Sequence, residues 1–216
     1  MTKHLKNELT PAAVLRRSLL MAAGAGFLLP RPAQAGAQVE EPLVDSVRSA
    51  LSASIANSAP PKPSFADVEQ RLAYLRWLGV MSEKLKRRKS ETQTRIEFLE
   101  TVWYESMRAG LEPSLVLGLI QVESGFRKYA ISSAGARGYM QVMPFWAKLI
   151  GDGQASRLFH MQTNLRFGCV ILRHYLDREK GNMFLTLGRY NGSRGRAEYP
   201  NAVFACRKQW LMDGEK

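Results

Sequence analysis

Residues 113–124, Pro-Ser-Leu-Val-Leu-Gly-Leu-Ile-Gln-Val-Glu-Ser, form an apolar run that opens on a proline, stops at Gly125 and carries one carboxylate, Glu123. Proline suits the first helical position and glycine the position just past the last, so the run predicts a helix over 113–124. Val116, Leu119 and Ile120 stand seven, four and three positions before Glu123, which puts the carboxylate on the same helical face as three apolar side chains. A carboxyl group in such surroundings is disfavoured in its charged form. Its pKa rises, and it can stay protonated near neutral pH as a general acid. The plainer reading is an ordinary polar residue near a helix end.

The rest of the folded part also reads as helix. Val68, Leu72, Leu75, Leu78 and Met81 recur at three- and four-residue steps, and Ile96, Leu99 and Trp103 form a second stripe that stops at Gly110. Pro144 opens a short helix to Ile150, a longer one runs from about Asn164 to Lys180, and Met183–Tyr190 and Pro200–Leu211 supply two more. Strand signals are nearly absent, apart from a small β-hairpin expected in the 129–139 loop. The class is all-α, with no internal repeat or heptad pattern.

Residues 1–35 have a basic start, an apolar stretch from Ser18 to Leu29 and Ala33-Gln34-Ala35 before Gly36, the pattern of a cleaved secretory signal. The apolar stretch is interrupted by glycines and falls short of the ~20 residues a membrane span needs, so a retained anchor is the lesser reading. Arg16-Arg17 before Ser18-Leu19-Leu20 resembles a twin-arginine export signal, although a general secretory signal also begins basic. Residues 36–63 are rich in Ala, Ser and Pro and end in Pro60-Pro61-Lys62-Pro63, which predicts a linker with room for a short helix near 42–56. The folded domain is expected over 64–216.

The chain carries a formal charge of +12, and residues 1–35 contribute five Lys or Arg against one Glu, so a processed form keeps +12 − 4 = +8. A basic surface draws a protein to acidic polymers in a salt-sensitive way. The densest run, Lys84 to Lys89, closes an amphipathic helix and reads as a solvated face rather than a nucleic-acid site. Cys169 and Cys206 are the two cysteines. Export permits a disulfide between them, the expected state here, worth roughly 3 to 4 kcal/mol for so long a loop. Two buried free thiols are the alternative.

Several motifs then agree in order and spacing: Glu123-Ser124-Gly125-Phe126, Ser132, Gly135-Ala136-Arg137-Gly138, Met140-Gln141, Met143-Pro144 and Tyr190-Asn191. Together, over roughly residues 107–204, they resemble the soluble lytic murein transglycosylase family. The resemblance implies a lysozyme-like helical domain with a cleft, acting on peptidoglycan glycan strands in the periplasm. It makes Glu123 the catalytic residue and places Ser132, Gln141, Met143, Tyr190 and Asn191 along the cleft. Tyr190 would position Glu123 or the substrate through its hydroxyl, Gln141 would bind an acetamido group, Met143 would form a wall, and Ser132 either lines the cleft or closes a turn. Gly135 and Gly138 would let the loop approach the saccharide. Tyr139 stands where the family more often has Leu, and Gly188-Arg189-Tyr190-Asn191-Gly192-Ser193 departs from the usual Ala-Ala-Tyr-Asn-Ala-Gly.

Common glycosidase routes need two carboxylates, and this pattern offers one. Glu112, Asp152, Asp177 and Glu198 lie outside the matched motifs. The resemblance supplies a route for a lone acid: Glu123 protonates the bridging oxygen between N-acetylmuramic acid and N-acetylglucosamine, then takes the proton of the muramyl 6-hydroxymethyl group, leaving a 1,6-anhydromuramyl end. Goose-type lysozymes, which hydrolyse the same bond, are the nearest alternative, and a non-catalytic wall-binding module is another. His4, His160 and His174 have no metal-binding spacing, and no phosphate loop or Ser-His-Asp arrangement is present, so neither metal nor cofactor is expected. An envelope machine as partner is left open, since no motif identifies one.

Overall fold

The computed structural model describes residues 38–56 and 63–214. The expected signal segment and the Pro60–Pro61 end of the expected linker lie outside them. Among the described residues the chain forms eight α-helices: α1 (Asp45–Ala56), α2 (Val68–Leu85), α3 (Thr92–Arg108), α4 (Pro113–Ser124), α5 (Pro144–Ile150), α6 (Met161–Arg178), α7 (Met183–Tyr190) and α8 (Glu198–Arg207). Two short 3-10 turns, Ala155–Phe159 and Lys208–Trp210, precede α6 and follow α8.

Local chemistry sets several of these boundaries. Asp67 caps α2 by accepting from the Gln70 amide at 2.8 Å, Glu91 caps α3 by accepting from Gln93 at 2.8 Å, and Asn182 caps α7 by accepting from Leu185 at 3.1 Å. Pro113 and Pro144 open α4 and α5. Gly125 ends α4 in the left-handed conformation at φ 56°, which a side chain rarely adopts.

The core gathers around α4. Val116, Leu119 and Ile120 are fully buried, as the helical spacing predicts. On α2 the buried face differs from the expected stripe. Val68, Leu72 and Leu75 are exposed, whereas Tyr74, Trp77, Leu78, Met81 and Leu85 turn inward. The aromatic residues select this face: Tyr74 and Trp77 pack on Trp103, with ring centroids 5.2 and 4.8 Å away, and Phe65 covers Tyr74 at 5.0 Å. Large rings bury more area than the leucines they displace.

The segment expected as linker contains α1, which packs on α5 and α6, with Leu43, Leu51 and Ile55 against the core. The 129–139 loop forms no extended hairpin; two isolated antiparallel bridges, Ile131 with Arg137 and Arg137 with Val142, hold it. The expected disulfide is not formed. Cys169 is a buried free thiol on α6, and Cys206 is a free thiol at intermediate exposure on α8. Cys169 lies beside Glu105 and Ser106 of α3, and burial pushes its thiol far above the ordinary range. Cys206 sits where the electrostatic influence of Arg88 reaches it.

The tightest helix contact is between α4 and α8. A Cβ on Gly118 would lie 2.7 Å from the Arg207 amide nitrogen and 3.0 Å from the Val203 carbonyl oxygen. Both obstacles are backbone and cannot swing aside, so only glycine permits the approach. Arg207 adds an ion pair to Glu112 at 2.7 Å on the rim of the same contact. Gly118→Ala is therefore expected to lower stability by about 2 to 3 kcal/mol in urea denaturation, at the upper end of overpacking effects.

Candidate active site

Glu123 sits in the last turn of α4 and is 5% exposed. Its Oε1 accepts a 2.5 Å hydrogen bond from the Tyr199 hydroxyl of α8, and its Oε2 is buried without a partner among the described residues. Burial raises the carboxyl pKa from 4.5 to about 8, with the Tyr199 bond pulling in the opposite direction. The group is thus neutral at pH 7. The proton then belongs on Oε2, since Oε1 is already accepting from Tyr199.

The chain after Glu123 is fastened back onto the helix that carries it. Ser124 Oγ donates to the Tyr139 carbonyl at 2.7 Å, and Phe126, at φ 67°, is held in that conformation by ring packing on Phe98 and Trp210. A non-glycine residue at positive φ persists where its surroundings over-determine it. Asn164 of α6 fixes the far side of the loop. Its Oδ1 accepts from Met140 N at 2.8 Å, and its Nδ2 donates to the Arg137 and Leu158 carbonyls, each at 2.8 Å.

The expected cleft residues separate into different tasks. Tyr190 does not hold Glu123. It is fully buried and donates to the Met140 carbonyl at 2.8 Å, so it supports the loop, although a charge on Glu123 still reaches it. Tyr199 holds the carboxylate instead. No motif in the sequence marks Tyr199, and its one distinguishing signal is a hydroxyl at a fully buried helical position. Gln141 is also buried, at φ 49°, and its amide donates to the Ala130 and Gly138 carbonyls at 3.1 and 2.9 Å. Both amide protons pin the loop and are not offered to a sugar.

Ser132 closes a turn: its Oγ accepts from Ala136 N at 3.1 Å. Met143 is partly buried, and its backbone amide donates to Gln38 Oε1 at 3.4 Å. Asn191 caps α7, donates through Nδ2 to Ser193 Oγ at 3.0 Å and leaves Oδ1 buried without a partner. Gly138 is needed for contact with protein rather than saccharide, since a Cβ there would lie 2.4 Å from Asn164 Nδ2 and 2.6 Å from the Leu158 carbonyl. Gly135 has open space around it. Tyr139 packs on Phe98 and accepts from Lys89 Nζ at 2.7 Å, making it a core residue.

Other carboxylates are committed elsewhere. Glu112 pairs with Arg207, Asp152 with Arg157 and Asp177 with Arg173, while Glu198 is exposed. Of the other buried ones, Glu105 is held by Arg166 at 2.8 Å and Glu179 by Arg189 and Arg194 at 2.6 and 2.8 Å. Among the described residues no group of three or more His, Cys, Asp or Glu is placed to hold a metal ion. A hollow of about 590 Å³ between α1, α5 and α6, lined by Ile55, Ile150 and Phe167, does not include Glu123.

The helical domain thus carries a buried acid at a helix end and a fastened polar loop behind it. The family model of the Transglycosylase SLT domain matches residues 101–210, about half of the chain, and the chain belongs to that family. It is 34% identical over 104 residues to a transglycosylase of Enterobacteria phage PRD1, covering 48% of this chain and 38% of that one. It is 35% identical over 114 residues to the membrane-bound lytic murein transglycosylase C of Actinobacillus pleuropneumoniae, covering 46% and 31% respectively. The chain therefore spans about a third of the length of these curated relatives. Among solved structures, an inactive mutant of lytic transglycosylase Slt from Pseudomonas aeruginosa aligns with a TM-score of 0.41 and 26% identity, over 67% of this chain and 24% of that one. No helix among the described residues is long and apolar enough to cross a membrane.

The geometry fixes how stability responds to pH. Glu123 has a folded pKa of about 8 against an ordinary 4.5, so its protonated form contributes stability that is whole below pH 4.5 and is lost as pH rises through 8. Urea denaturation should show wild type losing on the order of several kcal/mol relative to Glu123→Gln between pH 5 and pH 9. Tyr199→Phe removes the one donor that favours the ionised form and should make that loss larger. A gap that stays constant across the range contradicts the buried acid.

Proposed function

We propose that this chain is a peptidoglycan lytic transglycosylase that cuts between N-acetylmuramic acid and N-acetylglucosamine without water, with Glu123 as acid and then base. The observation that carries the reading is the solitary state of Glu123. Among the described residues the other buried carboxylates, Glu105 and Glu179, are each held by arginines, which leaves neither free to act beside Glu123. The paired carboxylates of retaining and inverting glycosidases stand within about 5 to 10 Å of each other, close enough in a buried site for one to shift the other.

A lone acid needs a nucleophile from the substrate. Glu123 Oε2 gives its proton to the bridging oxygen as that bond breaks, which leaves an oxocarbenium-like muramyl sugar and a carboxylate held by Tyr199. The carboxylate then removes the proton of the sugar's own 6-hydroxyl, whose oxygen attacks C1. The anhydro ring closes, and Glu123 is protonated again. Effective concentration favours this internal attack over capture by water, and enclosure of the acid supports it by limiting the entry of water.

The basic surface suits an acidic polymer, and the N-terminal signal pattern suits export to the periplasm, where that polymer is found. The relative named as a lytic murein transglycosylase supports the same substrate class, and the phage relative named as a transglycosylase supports the same kind of reaction.

Mass spectrometry of glycan strands digested with wild type should show 1,6-anhydromuramyl ends. Reducing muramic acid ends would assign the hydrolytic reaction instead, and binding to sacculi with no soluble product would assign a non-catalytic module. Glu123→Gln should retain the fold and lose about 10³-fold or more of the cleavage rate, near the middle of the range for acid–base groups. The wild-type rate should fall as pH rises through about 8, where Glu123 loses its proton.

A further inference from the structure

The N-terminal segment 38–44 has no regular structure, yet three of its side chains turn inward while Val39, Glu40, Pro42 and Val44 stay exposed. Leu43 rests on the core. Glu41 pairs with Arg178 at the end of α6 and, at 2.6 Å, with Arg189 of α7. Gln38 is 4% exposed and lies between Met143 and Tyr190. Tyr190 donates to the Met140 carbonyl at 2.8 Å, and the neighbouring Tyr139 carbonyl accepts from Ser124, the residue after Glu123, at 2.7 Å, so Gln38 lies against the stretch of loop fastened beside the acid. We infer that residues 38–43 are a displaceable strap, whose Gln38 carboxamide occupies a position in the Glu123 cleft that an acetamido group of an N-acetylated glycan would take. The inference rests on the reading of that cleft as a glycan site.

Three observations support displacement rather than a fixed wall. The first is an incomplete fit: Gln38 Oε1 accepts from Met143 N at a long 3.4 Å, and the buried Nε2 faces the Tyr190 hydroxyl in a contact too poorly formed to satisfy it. A buried donor left unmade penalises the seated state. The second is chemical likeness. A carboxamide and an acetamido group offer the same carbonyl acceptor and N–H donor, so a glycan's N-acetyl group can replace Gln38 on the Met143 amide. The third is the latch. Arg189 stands where the family pattern has Ala, and it spans Glu41 of the strap and Glu179 just past the end of α6, accounting for one departure at 188–193. The strap is thus tied through the half-buried ion pairs of one side chain, Glu41, so a single neutral substitution releases the latch.

The test is binding of tri-N-acetylchitotriose to the full chain by isothermal titration, with deuterium uptake followed in the 38–44 peptide. Glu41→Gln cuts the latch, and Gln38→Ala empties the amide position while keeping the ion pairs. Each should bind the trisaccharide about three- to tenfold more tightly than wild type, because the competing strap is populated less. Saccharide binding to wild type should raise deuterium uptake in 38–44. Affinity in both variants that is unchanged or weaker, or no saccharide binding by either, overturns the strap, and so does lower uptake on binding, which would make the segment part of the subsite. Because the readout is binding, tighter binding in the variants without anhydro products would defeat the cleavage reading and leave the strap standing. Cleavage with no change in binding would do the reverse.

Discussion

The contact between α4 and α8 at Gly118 governs the site, because it brings the two partners of the buried acid together. Glu123 lies on α4 and Tyr199 on α8, and their 2.5 Å hydrogen bond requires the helix backbones to meet where a single methyl group would collide with Arg207. Close packing removes water from the carboxyl, and removal of water raises its pKa. One geometric fact therefore supplies both the proton and the group that steadies the carboxylate after the proton has left.

The loop behind the acid is fixed by a different set of contacts. Asn164, Gln141 and Tyr190 spend their polar atoms on the carbonyls and amide of residues 130–140, so the loop is held from α6 and α7 as well as from its own turn. Ser124 then ties it to the end of α4. A general acid must stay within hydrogen-bond reach of a reacting oxygen, and this fastening limits how far the acid and the loop can drift apart. Buried networks of this kind are stabilising only when their members are satisfied. The unsatisfied atoms, Glu123 Oε2, Gln38 Nε2 and Asn191 Oδ1 among them, are where a polar ligand has something to gain.

Much of the helical plan was legible from periodicity and punctuation. The limits of α4, α5 and α7 follow from Pro113, Gly125, Pro144 and the apolar run that ends at Tyr190, and burial of Glu123 follows from its spacing to Val116, Leu119 and Ile120. What periodicity could not supply was the partner of each polar atom. Tyr190 and Tyr199 are both buried helical tyrosines, and which hydroxyl meets Glu123 depends on the α4–α8 crossing, a tertiary distance set by Gly118. On α2 the expected stripe holds at Leu78 and Met81 and fails at Val68, Leu72 and Leu75, since Trp103 on another helix decides which side of α2 is covered. The free thiols and the inward reach of Gln38 are likewise products of packing between distant segments.

A solitary, buried Glu123 is protonated at neutral pH. Carbon-13 NMR titration of the Glu123 side-chain carboxyl, assigned by comparison with Glu123→Gln, tests it most directly. A single transition near pH 8 is expected. A midpoint close to the ordinary 4.5, or two coupled transitions reporting a second carboxylate, would contradict it.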